Sequence, residues 1–543
     1  MAWQPEVGSG TARATSYRDF VTKLVGFCTS QRVATVAVNA AGSGYVTGDV
    51  VTLTHAGALL NARFEVTAVA GAITALRIVA SGAFSNRLSG SVTVNAGGTG
   101  YTASVSNIIL EVQGGTSREK AKVQATTNGS GVVTSATRIE TSGSYSSVPS
   151  FPAVTAIIGP SGTAAGTGCT ITTSTTGLIG TTGLSVTGGT GTGATVNITL
   201  AQIGWAVATT NKNNRVWNSL LDEKEVVLVG DAAGNTNKPY IGFRTGTETA
   251  GVNTRYFVAV FGFTAYNPSL SFNAQAGESP GLDGSDNHTD GGPYLIFPQN
   301  LANDTDFQFS ADDVRVTGAT NVNPAAATDD GRYQDFYAGY YDRVKTESED
   351  PYPMLVGASS ADRDADPTTG STSITSIAEC RAPNGPWWYY RSESGVWTSI
   401  TNNNTGSVTG ESSVMWPCGA NFLNAIDPEI VVTLGPIPLT DSIARRDRAA
   451  PERNLRMVPG TTPLHLTYAL VILRKVSDPV SDVTDSIRGT VRGVVWVYNA
   501  DSAGAAINDF SEDYIVIGSA RYRVFHNWTL TERYQYVAFL EDV

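Results

Sequence analysis

Charge is scarce in this sequence. Of its 543 residues, 15% are Asp, Glu, Lys or Arg, against roughly 25% in an ordinary globular domain. Basic side chains are the scarcer kind: 36 Lys and Arg against 48 Asp and Glu leave a formal net charge of −12. That balance argues against sequence-independent binding to nucleic acid, which needs a cationic face. No apolar run reaches the roughly 18–20 residues that a membrane-crossing helix needs; residues 256–263 are typical of the longest. The chain does not open on a basic stretch followed by an apolar one, so no secretory signal is expected. The four cysteines (Cys28, Cys169, Cys380, Cys418) and four histidines (His55, His288, His465, His526) are scattered, with no C-x-x-C pair. Neither a disulfide framework nor a zinc site is expected, and a reducing cytoplasm is the simplest place of synthesis.

Motifs of catalysis are also missing. No G-x-S-x-G elbow lies between a strand and a helix, and no P-loop or dinucleotide-type G-x-G-x-x-G follows a strand. The expectation is a chain that is not an enzyme and binds no cofactor. What the sequence has instead is 57 glycines set among Ser, Thr, Ala and Val. One short helix is predicted from Thr15, where Tyr17, Phe20, Val21, Leu24, Phe27 and Cys28 recur at helical spacing. It packs either on its own domain or on a neighbouring subunit. The one further helical candidate is 213–224.

From residue 32 the texture becomes β. VNAAGSGY at 38–45 returns as VNAGGTGY at 94–101, an offset of 56 residues, and each copy leads into strand-like runs and Gly-containing turns. Matching landmarks in order point to an internal duplication. A second echo, GTGCTITTS from Gly166 and GTGATVNITL from Gly191, is spaced by 25 residues. There Ile171, Leu184, Val186, Val196, Ile198 and Leu200 alternate with polar residues, as in short strands packed against another domain or subunit. Beyond Gly204 charges and aromatics return, and strand-like runs continue to the end. The fold class is therefore all-β: several small β-sandwich or barrel-like modules with one short N-terminal helix. The expected organisation is a helical docking segment over 1–31, β repeat 1 over 32–87, β repeat 2 over 88–159, a Gly/Thr-rich β segment over 160–204, a loop-rich β body over 205–460 and a C-terminal β domain over 461–543.

Candidate sites are few. Trp387, Trp388, Tyr389, Tyr390 and Trp397 form an aromatic cluster. Such rings serve as core or subunit interface when buried and as stacking platforms for sugars when exposed. Asp283, Asp286, Asp290, Asp312 and Asp313 are the carboxylates that a glycosidase would draw on. The runs 282–290 and 362–366 place oxygen ligands close together, as calcium requires, but neither matches an EF-hand loop. Solvated acidic loops are the simpler reading of both, and no metal site is assigned.

Three stretches carry a family resemblance. FYAGYYDRVKTESEDPYPMLVGASS (336–360), VMWPCGANFL (414–423) and the block DYIVIGSARYRVFHNWTLTERYQYVAFLED (513–542) resemble motifs of tailed-bacteriophage virion structural proteins. The Gly-Tyr modules are similar to the small β repeats of phage tail, baseplate and fibre proteins. In that pattern the helix runs almost directly into the strand near Trp205, and residues 32–200 are an insertion. The resemblance implies a non-enzymatic virion component of the tail, baseplate, tail-tip or fibre-associated type, assembled in the host cytoplasm. Its implied partners are other virion proteins and further copies of itself, with no nucleic acid and no membrane insertion. The alternatives are a receptor-binding adhesin for a host surface glycan and a head or collar decoration protein.

Overall fold

The computed structural model describes residues 2–7, 16–157, 166–177, 179–209, 225–250, 253–268, 270, 274–280, 293–298, 306–321, 333–358, 387–391, 395, 397–399, 431–434, 464–477, 482–499, 514–517, 520–526 and 536–542. Among them are 33 strands and one α-helix. The chain is all-β and built from several sheets.

Two antiparallel sheets and the helix make the body. One sheet has five strands: Trp205–Thr209, Glu225–Gly230, Tyr240–Ala250, Asn253–Phe263 and Tyr294–Pro298. The other has seven, in the order Ala2–Val7, Asp306–Ala311, Arg315–Asn321, Tyr333–Tyr340, Met354–Ala358, Trp387–Arg391 and Trp397–Ser399. Period-two alternation sends Val226, Leu228, Ile241, Phe243, Val258 and Val260 from the first sheet into one core with Phe309, Val316, Phe336, Ala338 and Val356 from the second. Phe243 meets Phe336 edge to face at 5.6 Å. The helix, Ser16–Thr29, buries Tyr17, Phe20, Val21, Leu24, Val25, Phe27 and Cys28 in that same core. Phe20 lies 5.3 Å from Phe309 and 6.0 Å from Phe336, edge-on to both. The apolar face that could have served a neighbouring subunit is thus consumed within the chain. The other helical candidate, 213–224, lies outside the described residues.

Between the helix and Trp205 stand two barrels of six strands each. The first is formed by Gln31–Ser43, Ala72–Phe84, Ala58–Val69, Val50–Leu53, Leu184–Ser185 and Thr192–Gln202. Reciprocal backbone bonds between Thr52 and Thr187 (2.7 and 2.9 Å) close it. The second follows the same cyclic order with Arg87–Thr99, Val133–Thr141, Lys122–Thr127, Ile108–Val112, Ala153–Ile157 and Thr167–Thr176. Its closure brings Gly97 against the backbone of Val133. The second barrel is inserted in the first, between Phe84 and Leu184, and the first is inserted in the body. Residues 160–204 therefore form no unit of their own: 167–176 completes the second barrel and 192–202 the first. The partners of these strands are in the same chain, because each Gly-Tyr copy supplies the edge that one echo fills.

The registers match in detail. Thr192 faces Ser43, Ala194 faces Ala41 and Thr195 faces Ala40, with a bulge before Val196 and Val38. In the second barrel Thr167 faces Thr99, Cys169 faces Gly97 and Thr170 faces Ala96, with a bulge at the same place before Ile171 and Val94. The recurrent glycines follow from close packing. A Cβ on Gly191 would lie 2.4 Å from the Tyr45 ring, and one on Gly166 would lie 2.3 Å from the Tyr101 ring. Each buried tyrosine of a G-[ST]-G-Y motif thus covers the first glycine of a GTG motif.

A further sheet contains Val431–Leu434, Leu464–Ser477, Asp482–Asn499, Tyr536–Asp542, Ala520–His526 and Tyr514–Ile517. Asp342–Arg343 of the body pairs with Thr490 and Gly489 of its longest strand.

Candidate functional site

The aromatic cluster falls at the far side of the seven-stranded sheet. Trp387, Trp388, Tyr389 and Tyr390 share one strand, in register with Ala358, Gly357, Val356 and Leu355. Arg391 of that strand faces Trp397 of the next. The side chains of residues 387–390 lie outside the described ones. Trp397 is half-buried, packs against the body core and donates its indole N–H to the Gly277 carbonyl at 3.0 Å. Its ring also stands over Gly262. Arg391 places its guanidinium 5.0 Å from the centre of the Tyr352 ring, a cation–π arrangement.

The carboxylates divide. Asp283, Asp286 and Asp290, and the runs 282–290 and 362–366, lie outside the described residues. Asp312 and Asp313 form a turn where three parts of the chain meet. Asp312 Oδ1 accepts the backbone N–H groups of Val314 and Arg315, each at 3.0 Å. Its carbonyl accepts the indole N–H of the buried Trp205. Asp313 Oδ2 accepts the N–H of Ala233 at 2.7 Å. Across from both stands Arg492 of the C-terminal sheet, with Nε 3.5 Å from Asp312 and 3.4 Å from Asp342, and Nη1 3.9 Å from Asp313. Buried Arg315 adds a second cation 3.5 Å from Asp312. Burial pushes the Asp342 carboxyl above its ordinary value, and Arg492 opposes that shift in part. These carboxylates hold backbone and cations in place. Among the described residues no group of three His, Cys, Asp or Glu side chains is arranged to hold a metal ion.

The third arrangement is the seam between barrels and body. The helix ends with free carbonyls that need donors, and the insert supplies two. Gln202 Nε2 of the first barrel donates to Thr29 O at 2.9 Å and to Ser30 O at 3.1 Å. Ser144 Oγ, on a two-stranded ribbon of Thr116–Glu119 and Ser144–Ser147 within the same insertion as the second barrel, donates to Thr29 O at 2.9 Å. Arg118 makes a two-pronged ion pair with Asp231 of the body, 2.8 Å on each arm. Leu60 and Ala83 of the first barrel enter the body core. The barrels are fastened rather than strung on linkers. Gln31 faces Gln202 in register, so the insert leaves and re-enters the body side by side.

The sequence singled out the aromatic cluster as a candidate contact and Asp312 and Asp313 as candidate glycosidase carboxylates, and the structure sets those two against Arg492 and Arg315. Sequence reasoning missed Arg492, Asp342, Arg118 and Asp231, because their partners lie far away in the chain and no local spacing marks them. Among the described residues the thiols of Cys28 and Cys169 are buried, and burial pushes both above the ordinary range. Neither a protein-family model nor a curated protein matches this chain.

Proposed function

We propose that this chain is a structural component of a tailed-phage virion, of the tail, baseplate, tail-tip or fibre-associated type, in which the body is the assembled scaffold and the nested barrels form a rigid outward arm. The observation that supports this most is the paired exit of the insert at Gln31 and Gln202. An insert that leaves and re-enters the body side by side and is fastened at its base is what a repeated particle needs to carry an arm in a fixed direction. The composition agrees. Gly-rich modules of low charge gain stability when they are enclosed by symmetric neighbours. The motifs at 336–360, 414–423 and 513–542 carry the phage assignment.

Immunogold labelling of intact particles with antibodies raised against the barrels tests the proposal. Label regularly spaced on the tail is expected. Label on the head moves the role to decoration, and purified particles that lack the chain overturn the proposal. Incubation of the purified protein with host capsule or lipopolysaccharide should release no new reducing ends.

A further inference from the structure

The first strand, Ala2–Val7, lies at the outer edge of the seven-stranded sheet and pairs along its whole length with Asp306–Ala311, from Ala2 opposite Ala311 to Val7 opposite Asp306. It also runs beside Ala72–Phe84 of the first barrel and Tyr536–Asp542 of the C-terminal sheet. Six residues thus fill a slot whose walls come from three separate parts of the molecule.

We infer that this slot is a strand-acceptor site between copies, and that in the assembled state it receives residues 2–7 of a neighbouring copy. Three observations carry the inference. The walls hold together without their occupant: Ser310 Oγ donates to the Leu540 carbonyl at 3.3 Å, and Phe309 and Ala311 are anchored in the body core with Leu60 and Ala83 of the barrel. A departing strand would therefore leave a formed slot with an open row of backbone donors and acceptors, which takes a strand by main-chain pairing. The occupant is a replaceable one. Pro5, opposite Gln308, has no N–H to give to the ladder, which confines this strand to an edge and weakens its hold. The connection permits the exchange. Residues 8–15 join the strand to the helix, begin Gly-Ser-Gly and include one charge, Arg13. Eight residues at about 3.3 Å each reach roughly 26 Å, several times the ~4.8 Å between paired strands.

The same ladder forms within a chain or between chains, so exchange requires no new contact, and the concentration of neighbours decides between the two. The inference rests on the assembly reading only in needing more than one copy. It names residues 2–7 and 306–311 as the partners.

The test uses full-length chains with two different affinity tags, one carrying Val7→Cys and the other Asp306→Cys, co-expressed and oxidised. These positions face each other at the end of the ladder. A disulfide-linked product at twice the chain mass on a non-reducing gel, carrying both tags and absent from either variant alone, is expected. If chains associate by light scattering but yield no mixed product, while the double variant cross-links within one chain, the inference is overturned and the assembly reading stands. A chain that stays monomeric at all concentrations also overturns it. Glu6→Cys with Phe307→Cys gives a second, independent pair if Asp306→Cys fails to fold. Particles that lack the chain would sink the assembly reading while leaving a mixed product from purified protein intact.

Discussion

At the scale of single residues, the most informative pairs are Tyr45 over Gly191 and Tyr101 over Gly166. Any side chain on those glycines must displace a buried ring, so Gly191→Ala is expected to destabilise the first barrel by roughly 1–3 kcal/mol. Limited proteolysis or denaturant unfolding checks this, and Gly166→Ala should act on the second barrel alone. Lys122 is the second informative residue. It is buried in the second barrel, and burial pulls its ammonium down to about 8, with Glu119 and Glu111 opposing. Below pH 8 the folded and unfolded chains both carry this charge, and the full burial penalty is present. Between pH 8 and the ordinary lysine value the unfolded chain binds more protons, so stability rises with pH, by up to about 1 kcal/mol per pH unit. Burial pushes Tyr145 up to about 12 and also raises the Cys28 and Cys169 thiols, so the folded state keeps those protons longer and they oppose the rise, the thiols from about pH 9 and the phenol from about pH 10. Urea melts at pH 7, 8 and 9 should show the rise, and Lys122→Met should flatten it and stabilise the chain at pH 7. The tyrosines and glycines were visible in the sequence as motifs. What they do was not, because the ring and the glycine it covers are separated by 65 residues in one copy and 146 in the other.

At the scale of elements, the nested insertion explains why two echoes have different spacings. A simple tandem duplication shifts every landmark by the same amount. Here the Gly-Tyr motifs are 56 residues apart and the GTG motifs 25 apart, and both GTG motifs follow both Gly-Tyr motifs. That order excludes a tandem duplication, and the strand pairing resolves it as one copy inside the other. The duplication, the strand character and the buried face of the helix were legible from periodicity. The linear division at 88–159 and 160–204 was not, because a strand's partner across a sheet leaves no local trace. The division makes an experiment. Arg87 and Thr176 face each other across the base of the second barrel, so deletion of 87–176, with Asn86 joined to Gly177, should leave the first barrel and the body folded. Deletion of 88–159 should not, because it leaves 167–176 without the strand that it completes. Circular dichroism and a single cooperative melt of the first variant, against aggregation of the second, are the expected outcomes.

At the scale of the whole molecule, the question is what holds the C-terminal sheet to the body. Among the described residues the fasteners include the two-residue ladder of Asp342–Arg343 with Gly489 and Thr490, the Ser310 to Leu540 bond, the run of Tyr536–Asp542 beside Ala2–Val7 and the fan of Asp312, Asp313 and Asp342 around Arg492. Among the described residues three carboxylates face Arg492 and Arg315, so removal of Arg492 leaves Arg315 as the cation there. Arg492 is more than one-third exposed, and solvent screening limits the loss to about 1 kcal/mol. The electrostatics also fix the direction of its pH dependence. The raised Asp342 carboxyl takes up a proton in the docked state before it does so in the separated one, so docking gains as pH falls through that raised value. Without Arg492 the opposing influence is gone, and Asp342 protonates at higher pH still. Arg492→Met should therefore speed amide exchange in 482–499 at pH 7, and the excess over wild type should shrink as the pH is lowered. An excess that stays constant or grows on acidification would assign the seam to packing and strand pairing, with the aspartate fan as a bystander.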